Sequence, residues 1–208
     1  TKIETMRSMG IKVFVVKAPH NMQEIEQCVL DVGEAVGEVE KGKSIVQNMK
    51  SIFELIKKTN SSIPVTERKK ILAVSVEGAF GVKGGLFDDL CHYAYIENAA
   101  GNIELPTGAR IGKEGIVKLQ PDVILLPTAT RMMADSKRKA ALDEIIHDPS
   151  YMTLKAVQNK QIIALPDKYY RYCVSHYAAE AAYVLASSVY PQYYEQLQMP
   201  RLLAGIEE

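Results

Sequence analysis

Residues 113–133, KEGIVKLQPDVILLPTATRMM, hold the pattern that decides the fold. A short apolar helix is expected from Glu114 to Leu119, with its acid in the first turn. Pro121 and Asp122 reset the chain, and Val123, Ile124, Leu125 and Leu126 follow as an unbroken apolar run. Such a run, without polar alternation, reads as a strand covered on both faces, as in a parallel sheet. It stops at Pro127 and gives way to a polar loop with Thr128, Thr130 and Arg131.

The same punctuation recurs on both sides. Residues 71–76 read as a strand, followed by the glycine-rich loop EGAFGVKGG (77–85) and a helix from Leu86 to about Ala94. Asp135 is placed to cap a helix reaching about Ile146, and a second helix is expected around 151–157. Residues 161–165 form another apolar run, ended by Pro166; DKYYRYCVSHY (167–177) then leads into a last helix to about Val189. Strands at 71, 122 and 161 separated by helices describe an α/β fold, a parallel βαβαβ sheet with helices on both faces.

Upstream, residues 1–9 read as the tail of a helix broken at Gly10, and the β-branched run 11–16 reads as a buried strand. Asn21 can cap a helix running to about Gly37. From 39 to 58, Ile45, Met49, Ile52, Phe53 and Ile56 recur at helical spacing opposite Lys43, Lys50, Glu54 and Lys57. A helix of about 20 residues is about 30 Å long. Residues 59–70 are polar and read as a surface linker, dividing 1–38 and the long helix 39–58 from a unit covering 71–208.

The 208 residues carry 25 Lys+Arg against 25 Asp+Glu, so no basic excess draws nucleic acid or an anionic membrane. No apolar run approaches the roughly 18–20 residues that span a bilayer. Thr1, Lys2, Ile3 and Glu4 do not open a signal peptide. Cys28, Cys91 and Cys173 form no CxxC pair and read as buried, inert thiols.

In open parallel sheets, ligands sit beyond the carboxyl ends of the strands. That rule selects the loops 77–85, 127–133 and 166–172, which hold Phe80, Arg131, Tyr169, Tyr170, Arg171 and Tyr172. Flat rings and guanidinium groups suit a large conjugated or anionic ligand, by stacking and charge-assisted hydrogen bonds. The plainer alternative is a loop whose tyrosines cover the sheet edge with their hydroxyls in water. The glycine loop lacks the Lys-Ser/Thr ending of a Walker loop and the GxGxxG spacing. Gly84 and Gly85 instead let the chain enter the next helix, whose dipole Asp88 and Asp89 complement. His176 and Glu180 lie four apart with no third ligand, and His20, His92 and His147 are isolated. No metal site, cofactor or catalytic constellation is expected.

Several segments in order resemble a known family: VKGGLFDDLCHYAYIENAA, then KEGIVKLQPDVILLPT, then DPSYMTLKAVQNKQIIALPD, then AAEAAYVLASSVYPQ. They look like the C-terminal lobe of the substrate-binding proteins of iron-siderophore, haem and cobalamin ABC importers. The stretch from Ser8 to Lys58 is similar to the end of that family's first lobe and its long connecting helix. The resemblance implies a non-enzymatic, extracytoplasmic protein, periplasmic or lipid-anchored, that presents an iron complex, haem or corrinoid to a permease. In this family two lobes hold ligand between them, and a rigid helix limits their closure. A glutamate on the lobe surface pairs with permease arginines, and Glu114 matches it. Residues 1–38 would be a remnant of the first lobe, in a fragment or a reduced variant. The uncovered face of 11–16 would then invite a homodimer or strand exchange. Tyr95 stands where the family usually ends a helix with glycine, and Gly112 where Ser or Thr usually caps the Glu114 helix.

Two other readings use the same sheet edge. One is a cytoplasmic α/β enzyme for a small anionic substrate, with Glu77 or Asp167 as general base. The other is a sensor or interaction module of the same fold without a ligand.

Overall fold

The computed structural model describes residues 1–75, 78–106, 109–127, 143–165 and 174–206. Strand β1 (Lys70–Ser75) and strand β4 (Val123–Pro127) run parallel, with Ile71 beside Val123 and Ala73 beside Leu125. On the far side of β4 lies β5 (Ile162–Leu165), also parallel. The other edge of β1 is shared by β3 (Glu97–Asn98), parallel against Lys70 and Ile71, and β2 (Gly78–Phe80), antiparallel against Ala73, Val74 and Ser75. The βαβαβ layer is therefore present, with an added antiparallel edge.

The helices described from end to end are α1 (Lys2–Ser8), α2 (Met22–Ala35), α3 (Val39–Asn60), α4 (Leu86–Tyr93), α5 (Lys113–Leu119), α6 (Lys155–Gln158) and α7 (Ala178–Val189). Successive strand residues point to opposite faces. Ile71, Ala73, Val123 and Leu125 meet Ile52 and Ile56 of α3, Leu90 of α4 and Leu185 of α7. Leu72, Val74, Ile124 and Leu126 meet Ile116 of α5 with Tyr151, Leu154 and Ala156. A face for each parity explains why 123–126 carries no polar residue.

The capping expected at Asn21 is present: its Oδ1 accepts from Glu24 N at 2.8 Å, and α2 begins at Met22. Met22 and Ile25 are fully buried in the core of the α3–α4–α7 face, so α2 shares that core. Helix α3 runs for 22 residues and ends two residues beyond the expected position. Its last residue, Asn60, is 1% exposed. Asn60 Nδ2 donates to Ala94 O at 2.7 Å and its Oδ1 accepts from the Tyr194 hydroxyl at 2.8 Å. That amide pins three segments far apart in the chain.

Two expectations are corrected. Residues 11–16, read as a buried strand, form no strand, and Phe14 and Val15 are 57% and 54% exposed. Branched side chains favour a strand only where a neighbour takes up its backbone bonds, and no described strand pairs with this one. Residues 78–80, read as loop, return as β2. Gly78, the first residue of β2, has φ +118°, and a Cβ there would lie 2.6 Å from Ile111 O. Most of the helix expected from Asp135 lies outside the described residues; residues 143–147 are helical.

The family departure at Tyr95 has a structural counterpart. Ile96 N donates to Cys91 O at 3.0 Å and Tyr95 N to His92 O at 3.1 Å, the paired bonds of a Schellman cap. Tyr95 itself sits at φ +54°, in the left-handed region that glycine fills without a Cβ penalty.

Two stability measurements follow from these contacts. Asn60→Ala leaves a buried carbonyl and a buried hydroxyl unsatisfied and is expected to cost about 1–3 kcal/mol in urea unfolding, with Tyr194→Phe costing less. Tyr95→Gly is expected to stabilise by about 0.5–1 kcal/mol, because relief of the left-handed strain outweighs the added entropy of the unfolded chain.

Candidate functional site

The strand register sets one rim. Ala73 pairs with Leu125, and Pro127 pairs with Leu165, so β1, β4 and β5 end at one level, with Ser75, Pro127 and Leu165 side by side. Parallel pairing with its evenly spaced bonds imposes this alignment.

Five of the six ligand residues read from the sequence, Arg131, Tyr169, Tyr170, Arg171 and Tyr172, lie outside the described residues, as do Glu77, Lys168 and Asp167. Phe80 is described. It lies in β2 opposite Ala73, two residues back from the end of β1, and its half-buried ring packs on the α3–α4–α7 face. The Arg110 guanidinium stands 5.6 Å from the ring centroid, within cation–π range. Phe80 is thus brought to the base of the rim, on the face away from α5.

The loop after β2 is held by polar contacts. Asn98 Nδ2 donates to Gly81 O at 2.6 Å and to Asp88 Oδ1 at 2.7 Å, while Asp88 Oδ2 accepts from Gly84 N at 2.9 Å. Gly81 has φ +82°, and a Cβ there would lie 2.4 Å from Phe87 Cδ1. Lys83 pairs with Glu104 at 2.8 Å. Asp89 reaches across 67 residues to accept from Met22 N at 2.6 Å. The two acids do more than complement a helix dipole. They hold the loop and the start of α2, and they place negative charge where an anion would otherwise sit. The asparagine of ENAA and the long reach of Asp89 carried no signal in the sequence reading.

Glu114 stands in the first turn of α5, exposed. The approach to this helix is tied to the sheet, because Ile111 and Ala79 exchange two backbone bonds of 2.9 Å, and Ala79 pairs with Val74. The start of α5 therefore lies near the carboxyl end of β1. Gly112 is the N-cap and makes no side-chain cap bond, as the missing Ser or Thr implied. Gly115 lets the first turn close on Ile111, whose Cγ2 would lie 2.5 Å from a Cβ. Lys113 Nζ meets Asp148 Oδ2 at 2.5 Å, and Asp148 Oδ1 accepts from Ser150 N at 2.8 Å. These bonds raise the lysine pKa and lower that of the aspartate from their ordinary values.

Burial shifts other titratable groups among the described residues. Burial pushes the Cys91 thiol well up, which keeps it protonated and unreactive. Burial lowers the pKa of His176, whose ring lies 4.2 Å from that of Tyr177. Cys28 is half-buried with a free thiol, and Cys173 lies outside the described residues. Among the described residues no group of three His, Cys, Asp or Glu is arranged to hold a metal ion. No described helix is long and apolar enough to cross a membrane.

Comparison with known proteins places this arrangement. A Bacillus subtilis protein described as an uncharacterized ABC transporter substrate-binding lipoprotein, YvrC, is 27% identical over 140 residues, 65% of this chain. The chain spans 44% of the length of that relative. The apo haem-binding protein RhuT from Roseiflexus superposes with a TM-score of 0.75 at 18% identity, over 92% of this chain and 71% of that one. IsdE of Staphylococcus aureus, solved with haem, gives 0.68 at 17% identity over 90% and 71%. CeuE of Helicobacter pylori, solved with Ni(II), gives 0.70 at 18% identity over 94% and 60%. At such identities the likeness is one of fold. The family model described as Periplasmic binding protein matches residues 1–169, and the chain belongs to that family.

Proposed function

We propose that this chain is part of an extracytoplasmic solute-binding protein that receives a metal chelate or tetrapyrrole at the rim of its sheet and hands it to an ABC importer. The reading covers a ferric siderophore, haem or a corrinoid. The observation that carries it is the alignment of Ser75, Pro127 and Leu165 at one edge. Family membership supports it, as do the haem and metal proteins among the structural neighbours and the transporter description of the curated relative.

In this proposal Arg131 and Arg171 neutralise ligand carboxylates, and Tyr169, Tyr170 and Tyr172 stack on the ligand or, for haem, supply a phenolate. Phe80 backs the rim from within. Glu114, exposed near the same rim, faces arginines of the permease. The protein binds and releases without catalysing a reaction, and it carries no resident cofactor.

Titration of the purified protein with haemin, a ferric siderophore and cyanocobalamin, followed by absorption, is expected to show saturable binding of one class. Arg171→Ala should weaken that binding about tenfold, the value of one charge-assisted contact, while Lys168→Ala changes it little. Equal losses would remove the arginine from the site. Saturable binding by none of the three would overturn the reading.

A further inference from the structure

Helix α5 is only seven residues long, yet its first turn is fastened on three sides. Behind it, the Ile111–Ala79 bridge ties the chain to β2. Within it, Gly115 seats closely on Ile111. Beside it, Lys113 pairs with Asp148, whose side chain is only 10% exposed and whose second oxygen is held by Ser150 N. The Lys113 ammonium also stands 5.9 Å from the ring centroid of Tyr151, which is buried on the face of the sheet that α5 covers. Glu114 is the next residue, exposed, and no ion pair joins it to Lys118 one turn further on or to any other described residue.

A seven-residue helix is too short to hold its own orientation in water. The direction of the Glu114 carboxylate therefore depends on what anchors the turn. Adjacent helix residues diverge by about 100°, so Lys113 cannot cover Glu114. A loose lysine would still lie well within the roughly 8 Å screening length and would repel an approaching guanidinium. Paired to a largely hidden aspartate, it does not.

We propose that the Lys113–Asp148 pair is the positioning device for Glu114. It locks the first turn of α5 to the turn at 148–151 and keeps the neighbouring cation occupied, so that Glu114 meets an arginine-bearing surface of the importer unopposed. This inference rests on the docking role proposed above for Glu114.

The test is a set of mutant cycles read by docking. Right-side-out membrane vesicles bearing the importer are titrated with labelled protein, and the melting temperature and ligand affinity of each variant are measured alongside. Asp148→Asn and Lys113→Met should each weaken docking about three- to tenfold, with ligand affinity unchanged and Lys113→Arg close to the parent. In a Glu114→Gln background either change should alter docking by less than about twofold, because the group they position is gone. Losses that multiply in that background, or that track a fall in melting temperature and ligand affinity, would show a purely structural tie and overturn the proposal. If Glu114→Gln weakens docking while the pair variants do not, this inference alone fails. If Glu114→Gln has no effect, the docking role itself falls and the pair has nothing to position.

Discussion

Strand β4 is hydrogen-bonded to a parallel neighbour on each edge and buried on each face, with Ile124 and Leu125 almost wholly removed from water. Full burial of each such side chain contributes about 1.5–3 kcal/mol, and it requires a layer on both sides of the sheet. One layer is built by α2, α3, α4 and α7, the other by α5 and the segment from Ile145 to Val157. The same pairing also fixes where β1, β4 and β5 stop. The common rim of the three strands is thus a by-product of the register that packs the core.

The apolar layers leave several chain ends to be held by polar groups. Asn60 ties the end of α3 to Ala94 and Tyr194, Asp89 holds the start of α2, and Asn98 with Asp88 shapes the loop after β2. Tyr190 takes the Lys69 amide at 3.0 Å just before β1 begins. Those of Asn60, Asp89 and Tyr190 join segments distant in sequence, and each bond satisfies a backbone or amide group that burial would otherwise leave without a partner.

Part of the candidate site was legible in the sequence and part was not. The apolar run ending at Pro127 announced the end of a strand, and the acid of KEG announced the start of a helix. Tyr95 was out of place in its segment, and its backbone turned out to need glycine's freedom. Phe80 was assigned to a loop because Gly78 and Gly81 read as breakers, yet those glycines frame a short returning strand. Periodicity has no purchase on three residues. The polar partners of Asp88, Asp89 and Lys113 gave no sign at all, since acids in a first helical turn are explained equally well by the dipole.

By itself the sequence determined the parallel α/β class, the order of its elements and several of their ends. Those properties depend on local chemistry: unbroken apolar runs, prolines after strands, and Asn21 ahead of α2. Only the tertiary structure decided that 11–16 would pair with no described strand, that 78–80 would pair, and that Asp148 would take Lys113 from 35 residues away. A strand exists only with a neighbour to receive its hydrogen bonds, and an ion pair only with a partner the folded chain brings near. Neither condition is written in the residues that meet it.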